Sequence, residues 1–122
     1  MTVETRSRDE YPVFSFRHVS ENHCLLSEWK KDELSELLGA FRTMESLTWN
    51  QILGHSGLRF KKIDVTSCSK PLPSNVSDDI PLCEIRVCQK KRIFGYRVNN
   101  VFTVIWFDRS HEICPEGKVK KA

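Results

Sequence analysis

The longest apolar run in the sequence, Val101 to Phe107 interrupted only by Thr103, is far short of the roughly 18–20 residues that cross a bilayer, so no membrane partner is expected. No apolar stretch follows Met1, which leaves nothing to mark the chain for export and makes the cytoplasm the expected compartment. There is no C-x-x-C pair, and the five cysteines (Cys24, Cys68, Cys83, Cys88, Cys114) are odd in number and scattered. That excludes a secreted disulfide framework and offers no half of a zinc site. Reduced thiols are expected, with Cys83 and Cys88 the first pair to suspect of a bridge. The four histidines do not cluster with the cysteines, so neither a metal nor another cofactor is expected. What remains is 122 residues with 39% apolar and 29% charged content. That is one globular domain, long enough to bury roughly two thirds of its unfolded surface.

The net charge of +3 is unevenly placed: residues 1–82 carry 10 basic against 12 acidic side chains, and residues 83–122 carry 9 against 4. A basic C-terminal third suggests an anionic partner such as nucleic acid, although a solvated basic face has the same composition. Residues 1–10 read as a flexible polar arm, 11–115 as one domain and 116–122 as a basic tail. Tyr11 to Val19 reads as a strand. Leu34, Leu37, Leu38 and Phe41 follow the i, i+3, i+4, i+7 spacing of an apolar helix stripe, within a helix starting near Ser27. Thr48-x-x-Gln51 is a capping box that opens a second, short helix ending near Gly54 or Gly57, anchored by Trp49, Ile52 and Leu53. Phe60 to Val65 reads as a short strand beginning in the basic patch Arg59-Phe-Lys61-Lys62, and the proline- and serine-rich residues 66–81 as a surface loop.

The C-terminal third predicts a three-stranded antiparallel meander, with strands over 84–89, 92–98 and 101–108 and turns at Lys90-Lys91 and Asn99-Asn100. Pairing across these turns sets Val98 opposite Val101, Tyr96 opposite Thr103, Phe94 opposite Ile105 and Val87 opposite Phe94. One face then collects Ile85, Val87, Phe94, Tyr96, Ile105 and Phe107 as the helix-covered core. The other, open face collects Glu84, Arg86, Ile93, Gly95, Arg97, Phe102, Trp106 and Asp108, with Gly95 leaving space at its centre. The expected fold class is α+β, two helices on one face of an antiparallel sheet. On the open face, Asp108 would pair with Lys91 and Arg97 would stack on Phe102; the same aromatics would also suit a second small core.

The order strand, helix, helix and closing meander resembles the RelE-like toxin fold. Within it, KRIFGYRV followed by a last strand running into Asp108-Arg-Ser-His111 resembles the C-terminal half of the YoeB branch. VFTVIWFDRSHEICP together with YPVFSFRHV also looks like a group of small bacterial proteins closing in a WFD-x-x-H run. The resemblance covers 11–115 by element order and is motif-like over 83–115. It implies a bacterial toxin–antitoxin protein that binds RNA or the ribosome, a candidate endoribonuclease acting on messenger RNA, with a small antitoxin-like partner. Such cleavage needs a base on the ribose 2′-OH, cations for the charge developing on the phosphorus and an acid for the 5′-oxygen. His111 is the expected acid and Arg86 the contact to the scissile phosphate. Glu84, which nothing in the family assigns, is the candidate base. Lys61, Lys62, Lys90, Lys91, Arg92, Arg97 and Arg109 are the expected RNA contacts. On this alignment the branch's catalytic arginine position holds Ile93, Arg92 falls one residue early on the opposite face, and Glu112 replaces an aromatic. The alternative expectation is a catalytically silent protein of this fold whose open sheet face binds a protein partner.

Overall fold

The computed structural model describes residues 11–114; the arm expected over 1–10 and the tail expected over 116–122 lie outside them. The order is β1 (Val13–Ser15), α1 (Lys31–Glu45), α2 (Trp49–Leu53), β2 (Lys61–Lys62), β3 (Leu82–Cys88), β4 (Lys91–Val98) and β5 (Val101–Asp108), with short 3-10 turns at Leu26–Glu28 and Val65–Ser67. The α+β class is as expected, but the sheet is mixed. Its order is β1-β5-β4-β3-β2, and β1 runs parallel to β5.

The first strand is shorter than the sequence suggests because the chain turns at Phe16–Val19, where the Val19 amide donates to the Phe16 carbonyl. It then returns to the β5 edge through Ser20 N to Ile105 O (2.8 Å) and Phe107 N to Cys24 O (3.1 Å). The second expected strand reduces to Lys61–Lys62 before a 3-10 turn. The capping box of α2 forms as read: Thr48 Oγ1 accepts from Gln51 N, and Gln51 Oε1 accepts from Thr48 N. Trp49 and Ile52 anchor α2 on the core, while Leu53 is exposed.

The meander departs from the expected register for two local reasons. The first turn is Gln89–Lys90, with Gln89 at φ 54°, and a bulge follows Arg86. Glu84, three residues before the expected Val87, therefore stands opposite Phe94, which exchanges the faces of β3 relative to β4. The Asn99–Asn100 turn and its Val98–Val101 and Tyr96–Thr103 pairs form as expected, but a bulge at Phe94/Gly95 sets Phe94 opposite Trp106 instead of Ile105.

The helices consequently cover the other face of β4. Trp29, Leu37, Met44, Trp49 and Ile52 pack on Cys83, Ile85, Ile93, Phe102, Val104 and Phe107. Phe94, Tyr96 and Ile105, expected under the helices, join Leu82, Trp106 and Ile113 on the opposite face in a second core. The choice has an electrostatic reason: the helix-covered face has no charge at its centre, whereas the second carries Glu84, Arg92 and Asp108. Gly95 leaves no open space, since a Cβ there would lie 2.2 Å from the Thr103 carbonyl oxygen and 2.8 Å from the Phe102 ring. Nor is the second face open. Val76, with Leu72 and Ile80 partly buried, brings the 66–81 segment down onto it, so this segment is a loop, as its composition suggests, that also contributes to the second core.

Candidate functional site

The second core ends in a charged cluster. Asp108, fully buried at the end of β5, folds the following chain back on itself: its Oδ1 accepts from Glu112 N (3.0 Å) and its Oδ2 from Ile113 N (2.9 Å). The returning turn holds His111 at φ 60° and buries it. Its Nε2 faces Glu84 Oε1 at 3.7 Å, and neither atom has a hydrogen-bond partner among the described residues. The other Glu84 oxygen, Oε2, accepts from Arg92 Nε at 3.2 Å and lies 3.8 Å from Lys61 Nζ. One carboxylate thus gathers an imidazole, a guanidinium and an ammonium from three places in the chain. The Trp106 indole N–H is also buried without a partner, in the same cross-strand row as Phe94 and Glu84.

Of the expected catalytic set, the structure brings Glu84 and His111 together and leaves Arg86 apart. Arg86 is half-buried opposite Arg92, lines a cleft of about 450 Å³ with Glu36, Thr43 and His55, and has no ion pair among the described residues. Arg92 lies on the same face as Glu84, because the β3 register differs from the one expected. The expected RNA contacts divide by exposure. Lys61, Lys62 and Lys90 are exposed. Lys91 is buried and bonds Glu36 at 3.0 Å, and Arg92 is buried against Glu84. Arg97 lies 4.4 Å above the Trp49 ring, not on Phe102, and Arg109 bonds Glu33 at 2.7 Å. The Arg109 guanidinium holds the Glu33 carboxyl below its ordinary value. The expected Asp108–Lys91 pair does not form, because Asp108 serves backbone amides and Lys91 serves Glu36.

The five cysteines are unbridged. Cys83 faces the Pro81 carbonyl and Cys88 faces Glu36, so the suspected pair has separate partners. Burial pushes the Cys83 and Cys68 thiols up to about 11. Burial and then the Asp108 charge push Cys24 up to about 12. Cys24, Asp108 and Glu112 bring potential metal-ligand atoms within 4.8 Å of one another. With both Asp108 oxygens engaged by backbone N–H groups and the Cys24 thiol protonated, this group holds the turn and is a poor cation site.

One surface escaped the sequence reading. Leu34 and Leu38, assigned to the core stripe, are exposed; Leu37, Ala40 and Met44 form the buried face of α1. Leu34 and Leu38 instead border an apolar groove of about 530 Å³ floored by Phe107. The width of the stripe was the available signal. From Ala40 to Leu38 it spans roughly 160° at 100° per residue, more than one sheet contact covers. No helix among the described residues is long and apolar enough to cross a membrane. Comparison with known proteins matches no family model, no curated protein and no solved structure.

Proposed function

We propose that the chain is a RelE-like, toxin-type RNA-binding protein whose candidate catalytic pair for messenger RNA cleavage is Glu84 and His111. The observation that carries this reading is their approach at 3.7 Å beside Arg92 and Lys61. A carboxylate and an imidazole are the pair an in-line ribose transfer needs, one to take the 2′-OH proton and one to give a proton to the departing 5′-oxygen. Arg92, bonded to Glu84 at 3.2 Å, supplies positive charge where the phosphorus centre becomes more negative. Exposed Lys61, Lys62 and Lys90 give a cationic approach to a phosphate backbone. RNA cannot lie across the middle of the sheet, since both faces there are covered. It approaches at the rim, and the turn carrying His111 must open for the buried pair to reach it.

Burial of Glu84, Arg92 and His111 favours a second reading, a silent member of this fold that acts by binding a partner protein. The two separate in one assay: degradation of a translated message on ribosomes, with wild type, Glu84→Gln, His111→Ala and Arg86→Ala. The nuclease reading expects cleavage by wild type and its loss in the first two variants, with Arg86→Ala retaining it. Three exposed lysines predict an RNA affinity that falls roughly twentyfold from about 50 to 200 mM salt. An intact message together with salt-independent RNA binding overturns this reading and leaves the silent one.

A further inference from the structure

The groove of about 530 Å³ beside α1 is lined by apolar side chains. Phe16, Val19 and Leu26 form one wall, Leu34, Leu38 and Phe41 the other, and Phe107 the floor. Phe16, Leu34 and Leu38 are 54%, 41% and 46% exposed, a contiguous patch of the kind that marks an interaction surface.

The charges around the groove indicate its occupant. The flank of α1 away from it is acidic and internally neutralised, Glu33 by Arg109 and Glu36 by Lys91. The flank beside it carries Lys31, three residues before Leu34, and Arg42, four after Leu38, while Arg17 follows Phe16 on the opposite wall. All three are exposed and have no ion pair among the described residues. Glu28, next to the Leu26 wall, is near Arg109, which leaves Glu45 as the carboxylate at the far end of this flank. A second copy of the chain would set these cations against their own kind. Residues 1–10 offer only Met1 and Val3 as apolar groups, and 115–122 are themselves basic, so neither segment has an apolar stripe to lay there.

We propose that this groove docks an amphipathic helix of another protein, with leucine-like anchors at i, i+3, i+4 and i+7 flanked by glutamate or aspartate. Docking there is independent of whether Glu84 and His111 cleave RNA.

The test titrates the full chain against a labelled synthetic helix with leucines at those positions and flanking glutamates, and against its twin with lysines in place of the glutamates. The acidic peptide should bind roughly tenfold tighter than the twin, as about three surface ion pairs allow. Leu34→Glu and Leu38→Glu should abolish binding while leaving the circular dichroism melt unchanged, since both side chains already face solvent. Leu53→Glu, equally exposed on α2, should have no effect. The proposal is overturned if neither peptide binds, if the two bind equally, or if Leu34 and Leu38 do not matter. It is also overturned if sedimentation shows a dimer that Leu38→Glu dissociates, which would make a second copy the occupant.

Discussion

Replacing Asp108 by alanine should destabilise the domain by about 3 kcal/mol. The carboxylate is wholly buried and serves two backbone amides that have no other acceptor among the described residues. The Ile113 amide is buried, and leaving it unsatisfied costs about 2–3 kcal/mol; that of Glu112 is partly accessible to water and costs about 1 kcal/mol. Relief of the carboxylate's own desolvation offsets part of the total. For a domain of this size, about 3 kcal/mol lowers the melting temperature by roughly 10–15 °C. Asp108→Asn keeps one acceptor and should show about half the loss. Thermal and urea unfolding followed by circular dichroism measure both. If Asp108→Ala stays within about 1 kcal/mol of wild type, the carboxylate does not hold the turn, and the placement of His111 needs another cause.

Gly95→Ala should lower stability by about 3 kcal/mol, at the upper end for overpacking, because the added carbon meets the Thr103 carbonyl of β5 as well as the buried Phe102 ring; an unchanged urea midpoint would show that the two strands can part there. Glu33 ionises more readily in the folded chain than in the unfolded one because Arg109 holds it, so its stabilisation is present above the ordinary glutamate range and is lost as pH falls through the lowered folded value. Urea midpoints followed from neutral pH downward should show Glu33→Gln lacking that part of the acid decline, and curves that run parallel throughout would contradict the assignment.

The elements with local signals were legible. The Thr48/Gln51 capping box and the Asn99–Asn100 turn each rest on side chains within four residues, and both form as read. The faces of the sheet were not legible, because a bulge after Arg86 and another at Gly95 change parity without any mark in the alternation itself. Leu72, Val76 and Ile80 were hidden among prolines, serines and aspartates, so the lid over Phe94 and Trp106 read only as a loop. At the site, Glu84 and His111 could be named by chemical type. That Arg92, not Arg86, would stand beside them depended on the register, which periodicity alone does not fix.

The position of β5 in the sheet has a consequence for how the protein is made. It is the last strand of the described residues, yet it lies between β4 and β1, the first of them. On a translating ribosome β1 and the helices emerge with no sheet to join. Ser20 and Cys24 wait for the carbonyl and amide of Ile105 and Phe107, and Trp29 for the Phe107 carbonyl. Closing contacts so distant in sequence is entropically slow. The groove residues Phe16, Leu34 and Leu38 therefore stay exposed, with the rest of the unfinished core, until β5 has been made. The nascent chain is at its most adhesive just before β5 emerges, when a binder already present could meet it.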